Sequence, residues 1–151
     1  MIYIGADHRG FELKEILKKW LIENKVQFFD VGAIEEVEVD DYPDFAAMVA
    51  KSVASSPEEH KGILVCGSGH GVDMVANKYK GVRSALAFKK EVAIQSRAHE
   101  NANVLTLPAD WLKPEEASEI LDVWLRTNFD NAERNQRRLG KIDVIEGENF
   151  K

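Results

Sequence analysis

The sequence predicts an α/β protein in which helices cover both faces of a five-stranded, mainly parallel β-sheet. Short apolar runs alternate with segments of helical period, and these runs lack the polar alternation of a strand that faces water on one side. Such alternation is typical of parallel sheets with right-handed crossovers, whose strands are covered on both faces. No Pro/Gly/Ser-rich linker divides the 151 residues, so we expect a single domain over residues 1–151.

Five short apolar runs are the predicted strands: Ile2–Ala6, Val26–Val31, Gly62–Cys66, Arg83–Phe88 and Asn103–Leu107. Open parallel sheets bind ligands beyond the carboxyl ends of their strands, where the strand order reverses. Two of the runs end in residues that can do chemistry beside glycine. The first leads into Asp7 and His8, and the third ends at Cys66, before GSGHG at residues 67–71. We therefore expect a site where these two runs end.

Helices are predicted from apolar residues at three- and four-residue steps, with the clearest stripe near the N-terminus and the least regular one beyond residue 119. The stripes consist of Leu13, Ile16, Leu17, Trp20 and Leu21; of Phe45, Val49, Ser52 and Val53; and of Ile120, Val123, Trp124 and Phe129. Pro114, followed by Glu115 and Glu116, indicates a helix start, because proline suits the first helical position and acids suit the first turn.

Charge and composition exclude several classes of protein. With 44% hydrophobic and 30% charged residues, the chain has the composition of an ordinary folded protein. Its formal net charge of −6 argues against nucleic acid and membrane surfaces as partners. A single cysteine excludes an intramolecular disulfide framework, and the N-terminus turns polar too early for a signal peptide. Because no apolar run approaches the length of a membrane span, we expect a cytoplasmic protein.

The glycine-rich turn at residues 67–71 is predicted to hold an anion. Glycines between a strand and a helix leave backbone N–H groups uncovered, and the helix dipole favours negative charge at that end. The turn lacks the third glycine of a dinucleotide fingerprint and the Gly-Lys-Ser/Thr of a Walker A loop. A phosphatase of the Cys-x5-Arg type would need arginine where this chain has Val72.

Cys66 admits two interpretations. Free cysteine is among the most buried residue types and often acts as a small hydrophobic residue. At a strand end that faces a helix N-terminus, its thiolate would instead be stabilised relative to an unperturbed pKa of about 8.5. A thiolate near neutrality acts as a nucleophile or as a general base. The position of Cys66 favours the functional interpretation.

Other candidate residues have structural explanations beside the functional ones. Asp7 could cap a helix, and His99 could interact with the C-terminus of the predicted helix that it ends. Arg134 and Arg138 share one face if they lie on a helix, where they would be either solvated or a strong donor pair for phosphate.

The chain resembles the family of ribose-5-phosphate isomerase B and the galactose-6-phosphate isomerase subunits along nearly its whole length. The likeness is carried by IGADHRGFELK, DYPDFA, GILVCGSGHGVDMVANK with the following GVRSAL, SRAHENANVL and the terminal arginine cluster. The resemblance implies a Rossmann-like three-layer α/β/α sandwich, a homodimer or homotetramer with active sites at the subunit interface. It also implies interconversion of an aldose phosphate and a ketose phosphate without metal or organic cofactor.

The resemblance further implies a role for each candidate residue. Cys66 would move a proton between C1 and C2 of the sugar, His99 would assist opening of the furanose ring, and Ser68 would place a hydroxyl near the sugar. The substrate-binding residues would be Asp7 at the sugar hydroxyls, His8, Arg134 and Arg138 at the phosphate, Gly67, Gly69, His70 and Gly71 at the enediolate oxygen through their amides, and Tyr42 in the nearby loop.

Two departures from the family pattern concern the substrate side of the site. After NVL the family commonly has Gly-x-Arg, whereas this chain reads LPADWL and has Asp110 in the arginine's place; Arg137 is a possible substitute. Glu100 follows His99 where the family usually has asparagine. Either Asn101 takes over the role of that amide, or the reacting sugar differs.

A third departure lies in the glycine-rich turn, where His70 occupies a usually apolar position and Asp73 follows three residues later. Both residues either point to solvent or alter the sugar pocket. A metal site of His8, His70 and Asp73 is conceivable by ligand type. It lacks a recognisable ligand spacing, and no metal is expected.

Three functions are compatible with these residues. The first is isomerisation of ribose 5-phosphate or a related sugar phosphate through an enediolate. The second is non-catalytic binding of a sugar phosphate, because Asp110 and Glu100 disturb the substrate side. The third is acyl transfer with Cys66 as covalent nucleophile and His99 as base. It ranks last because the sequence offers no clear residue to orient His99.

Overall fold

Strands and helices alternate along the chain as the sequence predicts. A computed structural model describes residues 1–33, 35 and 40–150. Its strands are β1 (Ile2–Ala6), β2 (Phe28–Asp30), β3 (Lys61–Cys66), β4 (Ser84–Leu86) and β5 (Val104–Pro108). Its helices are α1 (Phe11–Glu23), α2 (Tyr42–Ala54), α3 (His70–Ala76), α4 (Lys90–Glu100), α5 (Pro114–Arg126) and α6 (Glu133–Asn149). None of these helices has both the length and the apolar character needed to cross a bilayer.

The strands form one sheet in the order β2-β1-β3-β5-β4, and every pair in it is parallel. Strand β1 pairs with β3 from Ile2 opposite Lys61 to Ala6 opposite Val65. Because β2 lies on one side of β1 and β3 on the other, the strand order reverses between β1 and β3. The carboxyl ends of these two strands therefore border the crevice in which such sheets bind ligands.

Helices cover both faces of the sheet, which confirms the predicted three-layer α/β/α architecture. One face packs against α1, α4 and α5, where Leu17, Leu21 and Trp124 are fully buried. The other face packs against α2 and α3, and its core includes Val49 and Cys66. Each face thus buries the apolar stripe that the helical period predicts.

The predicted boundaries differ from the structure mainly at the two edge strands and beyond α5. Strands β2 and β4 are shorter than their apolar runs, since each pairs on one side only, and Phe29 in β2 is 55% exposed. The prediction that Phe129 continues the stripe of α5 is wrong. That helix ends at Arg126 because Thr127 turns to an extended conformation, with φ −80° and ψ 129°.

A fully buried lysine on α1 anchors the chain beyond β2. The Lys14 ammonium donates to the Asp30 carboxylate at 2.8 Å and to the carbonyl oxygen of Ala33 at 2.6 Å. Burial raises the pKa of Asp30, but hydrogen bonds from Lys14 and Lys18 outweigh this effect, so the pKa is lowered. This contact fixes the segment that runs beside the carboxyl end of β1.

We predict that Lys14→Met lowers the free energy of unfolding by about 2–3 kcal/mol, because it leaves the buried carbonyl of Ala33 unpaired. Lys18→Met is the matched control: Lys18 also contacts Asp30 but is partly exposed, and we expect a loss of less than about 1 kcal/mol. Urea unfolding measures both losses. Equal losses in the two variants would contradict the assignment.

The contribution of Lys14 to the free energy of unfolding should also decrease as the pH is lowered. A carboxyl group with a lowered pKa stabilises the fold above its unfolded pKa of about 3.9, and this stability is lost as pH falls through the folded value. The difference between wild type and Lys14→Met is therefore expected to be smaller at pH 3 than at pH 7.

Candidate active site

The centre of the candidate site is a hydrogen bond between the ends of β1 and β3. The Cys66 thiol donates to Asp7 Oδ2 at 3.0 Å, and both residues are buried. The other carboxylate oxygen of Asp7 accepts the N–H of Gly10 at 2.9 Å, in the turn before α1. Asp7 therefore stabilises the turn before α1 but does not cap the helix, whose N-cap residue is Gly10, and it also contacts the sulfur.

Burial and Asp7 keep Cys66 protonated. Desolvation, followed by the hydrogen bond to Asp7 and the charge of that carboxylate, raises the pKa of the Cys66 thiol to about 11. Hydrogen bonds from the backbone of Gly69 and Gly67 act in the opposite direction but are the weaker effect. The prediction of a stabilised thiolate is thus wrong for the single chain, although the amides do face the sulfur.

The conformation of the glycine-rich turn requires glycine at its centre. Gly69 has a φ of +77°, which side chains rarely adopt, and a Cβ there would lie 2.5 Å from Leu86 Cδ1. Gly71 lies under the ring of Tyr42, where a Cβ would approach Tyr42 Cε2 to 2.6 Å. Tyr42 therefore covers the turn from the first residue of α2 rather than from a loop.

The polar side chains of the turn differ in exposure. Ser68 is half-buried, and its Oγ accepts the N–H of His70 at 3.4 Å. The His70 ring is exposed and meets the exposed ring of Trp111 edge-on, with 6.2 Å between the ring centroids. His70 therefore points to solvent in the single chain, and its role in the sugar pocket stays a prediction.

Of the two interpretations of Asp73, the one in which its side chain points to solvent is wrong. The Ser84 hydroxyl donates to Asp73 Oδ1 at 2.7 Å and lies 3.1 Å from the buried Thr106 hydroxyl. Burial raises the pKa of Asp73, and this effect outweighs the hydrogen bonds from Ser84 and Thr106, which lower it. Asp73 thus ties α3 to the edge strand β4, and this role accounts for an acid at that position.

His8 is oriented by a carboxylate that sequence reasoning did not identify. Asp40 Oδ1 lies 2.5 Å from His8 Nδ1 and also accepts the His8 backbone N–H at 3.1 Å. The Asp40 side chain is 9% exposed, whereas that of His8 is 31% exposed. Asp40 holds Nδ1, and the described residues offer the other ring nitrogen of His8 no hydrogen-bond partner, so that nitrogen can meet a ligand.

Asp7, His8 and Asp40 have metal-like spacing, since one ligand atom of each lies within 4.8 Å of the others. Their hydrogen bonds to Cys66, to Gly10 and between His8 and Asp40 already account for this arrangement. Among the residues that the structure describes, His70 and Asp73 do not join this group.

His99 lies at the opposite edge of the sheet from Cys66. Helix α4 runs back from the carboxyl end of β4, and His99 and Asn101 precede the amino end of β5. Cys66 instead pairs with Pro108 at the carboxyl end of β5. The five residues of this strand separate the two edges by roughly 15 Å. One chain therefore does not bring the predicted base and the predicted ring-opening histidine together.

The predicted phosphate-binding arginines lie near the same edge of the sheet as His99, opposite the edge that carries Cys66. His99 Nε2 lies 4.0 Å from Asp130 Oδ2, just before α6. Arg134 and Arg138 both lie on α6 and are exposed, and Arg134 is close enough to contribute to the lowered pKa of Asp130. Asn101 is half-buried, and its Oδ1 accepts a hydrogen bond from Arg97 at 3.0 Å. The candidate residues thus fall into two separate groups.

The comparisons with known proteins identify the family of this chain. The family model for ribose/galactose isomerases matches residues 2–142. The ribose-5-phosphate isomerase B of Escherichia coli is 37% identical over 145 residues, which cover 96% of this chain and 95% of that protein.

The chain belongs to the ribose/galactose isomerase family. Solved structures of family members share its fold. The ribose-5-phosphate isomerase B of Mycoplasma genitalium, with bound ribulose-5-phosphate, has a TM-score of 0.95 and 41% identity over 98% of this chain and 97% of that chain. The Thermotoga maritima enzyme has a TM-score of 0.88 and 43% identity over 95% of this chain and 97% of that chain.

Sequence reasoning did not identify two residues of the candidate site in this chain. Asp40 stands in the acidic stretch of residues 35–44 and carries no periodic or motif signal of its own. Arg9 is an ordinary surface arginine in the sequence, yet it forms an ion pair with Asp110. Charge complementarity between Arg9 and Asp110 is a signal, but only after the topology has placed the ends of β1 and β5 on the two sides of β3.

We predict that Asp7→Asn lowers the apparent pKa of Cys66, because the substitution removes the negative charge that stabilises the thiol form. The pH dependence of iodoacetamide labelling measures this pKa, and the single cysteine makes the signal unambiguous. Asp44→Asn, on the exposed first turn of α2, is the control and should leave the profile unchanged. An unshifted profile in Asp7→Asn would refute the role of the carboxylate.

Proposed function

We propose that this protein interconverts an aldose phosphate and a ketose phosphate, ribose 5-phosphate and ribulose 5-phosphate or a related pair, through an enediolate and without a cofactor. The observation that carries the proposal is the Cys66–Asp7 pair beneath the backbone N–H groups of the glycine-rich turn. The family relatives are named as ribose-5-phosphate isomerases, and one contains ribulose-5-phosphate. We treat residues 1–151 as one isomerase-like domain.

The proposed chemistry is a proton transfer between adjacent carbons. Cys66 removes the proton from C2 of the open-chain aldose, the electron pair forms the C1–C2 double bond, and the carbonyl oxygen becomes the enediolate oxygen. The thiol proton, which exchanges with solvent, is then delivered to C1 while the C2 hydroxyl proton moves to the C1 oxygen, which yields the ketose. Backbone N–H donors at such an oxygen are worth about 2.7–4 kcal/mol each in a comparable oxyanion hole.

Cys66 must lose its own proton before it can act as a base. Asp7 Oδ2, at 3.0 Å, is the nearest acceptor for that proton. Cations close to the sulfur would favour the thiolate by lowering its pKa. Arg134 and Arg138 could supply them if a second copy of the chain placed them at this site.

We therefore propose that the complete site is shared by two chains in a cytoplasmic homodimer or homotetramer. Cys66, Asp7, His8 and Ser68 would come from one chain. His99, Asn101, Arg134 and Arg138 would come from the other, because they lie at the opposite edge of the sheet. In this arrangement His99 would assist ring opening, and His8 with the two arginines would bind the phosphate.

The first experiment is isomerisation of ribose 5-phosphate and related pentose and hexose phosphates in deuterium oxide. Wild type should place deuterium on the carbon that gains a proton. We predict that Cys66→Ala lowers the rate by about 10²–10⁴-fold, as expected for loss of a general base. Cys66→Ser is the matched control for packing, because it keeps a similar shape but is a poor base.

Binding of a sugar phosphate without isomerisation or exchange would select the non-catalytic function instead. It would be detected as thermal stabilisation in the absence of turnover. A covalent adduct on Cys66 trapped during turnover would indicate acyl transfer. Full activity of Cys66→Ala would exclude Cys66 as the base.

The second experiment tests the shared site by mixing two inactive variants. After unfolding and refolding together, Cys66→Ala and His99→Ala should recover about a quarter of the wild-type activity. Half of the dimers are mixed, and each of these has one intact site out of two. The control mixture of Cys66→Ala with Ser68→Ala should recover nothing, because both changes lie at the same edge of the sheet. Equal recovery in the two mixtures would refute the shared site.

A further inference from the structure

An ion pair that the proposed mechanism does not use stands at the rim of the glycine-rich turn. The Arg9 guanidinium donates to the Asp110 carboxylate, and the two side chains are 58% and 32% exposed. Both lie directly over Gly67: a Cβ on Gly67 would be 2.7 Å from Arg9 Nε and 2.9 Å from Asp110 Oδ2. The pair therefore sits one residue away from Cys66.

Backbone hydrogen bonds hold the loop of Asp110 against this turn. The N–H of Ala109 donates to the carbonyl of Cys66 at 2.9 Å, and the N–H of Asp110 donates to the carbonyl of Gly67 at 3.0 Å. Arg9 itself directly follows His8 in the chain. The guanidinium thus lies against the glycine-rich turn, on the residue that follows the proposed phosphate-binding histidine.

Stability alone does not account for this pair. Ion pairs that are this exposed contribute little to folding, because water screens the charges and two long side chains lose freedom. A guanidinium has five N–H donors in a planar fork, and a single carboxylate leaves some of them free. Those donors suit a phosphate group, which arginine can bind through two parallel hydrogen bonds.

We propose that Arg9 is a substrate-binding residue that contacts the phosphate group of the sugar phosphate, and that Asp110 is a positioning residue that aims it. This inference rests on the proposed function for the identity of the ligand. It also explains how the site tolerates an acid at position 110. Asp110 does not repel the phosphate, because its charge is neutralised by the arginine that it orients.

The test measures the affinity for inorganic phosphate by calorimetry and the KM for the sugar phosphate, in the full-length protein. Arg9→Met should weaken phosphate binding and raise KM by about 10- to 100-fold, which corresponds to the loss of a charge-assisted hydrogen bond. The value of kcat should change less than KM, because Arg9 does not touch the reacting carbons. Arg9→Lys should recover part of the affinity, since it restores the charge but not the planar fork.

Asp110→Asn tests the positioning role. It should weaken phosphate binding less than Arg9→Met does. Combined with Arg9→Met it should cause no further loss, and it should restore part of the affinity, because it removes a carboxylate that no longer has its arginine partner. Additive losses in the double variant would overturn the role of Asp110, because a positioning residue acts only through the residue that it positions.

The matched control is Arg126→Met. Arg126 forms an ion pair with Asp122 on α5 at 2.6 Å, and the side chains are 73% and 33% exposed, close to the exposures of Arg9 and Asp110. Because this pair lies on α5, away from the turn, its loss should leave phosphate affinity and KM unchanged. All variants should keep the wild-type unfolding midpoint within error, since each substitution removes an exposed pair.

The outcomes separate this inference from the proposed function. The role of Arg9 would be overturned if Arg9→Met turned over substrate and bound phosphate as tightly as wild type. It would also be overturned if wild type did not bind phosphate. Phosphate binding that depends on Arg9 in a protein without isomerase activity would support the role of Arg9 and refute the isomerase function.

Discussion

The hydrogen bond from the Cys66 thiol to Asp7 depends on the parallel pairing of β1 with β3, and the candidate site depends on that hydrogen bond. In this register Ala6 lies opposite Val65, so the next residue of each chain segment reaches the same edge of the sheet. The strand order reverses at this point, which leaves the crevice open to a ligand. The same burial that holds the pair together raises the pKa of the thiol to about 11. If Cys66 is to act as a base, nearby positive charge must lower the pKa of its thiol. The residues at this edge of a single chain supply only part of that charge.

Among the residues that the structure describes, three carboxylates at this edge have partners. Asp7 accepts from the Cys66 thiol, Asp40 contacts His8, and Asp110 contacts Arg9. This pairing explains how a chain with a formal net charge of −6 can present a site for an anionic sugar phosphate. In the proposed site these carboxylates would orient donors toward the ligand, and their charge would not be left facing the phosphate.

The sequence was sufficient to predict the layers and the meeting of Asp7 with Cys66, because apolar runs and parallel topology determine both. The separation of His99 from Cys66 could also be predicted from the sequence. A residue at the end of a crossover helix lies at the amino end of the next parallel strand, whereas Cys66 lies at a carboxyl end. The thiol pKa could not be predicted, because it depends on how far burial outweighs the turn's amides. The role of Asp73 and the partner of Asp110 depend on contacts with Ser84 and Arg9, which are set by three-dimensional packing.

The most direct measurement is a crystal structure of the protein with a bound sugar phosphate. The account predicts that the carbon that loses its proton lies about 3–3.5 Å from the Cys66 sulfur, with the neighbouring oxygen facing the amides of residues 69–71. It also predicts His99 of a second chain on the other side of the sugar. A sugar bound away from Cys66, or a site closed by a single chain without His99, would contradict the account.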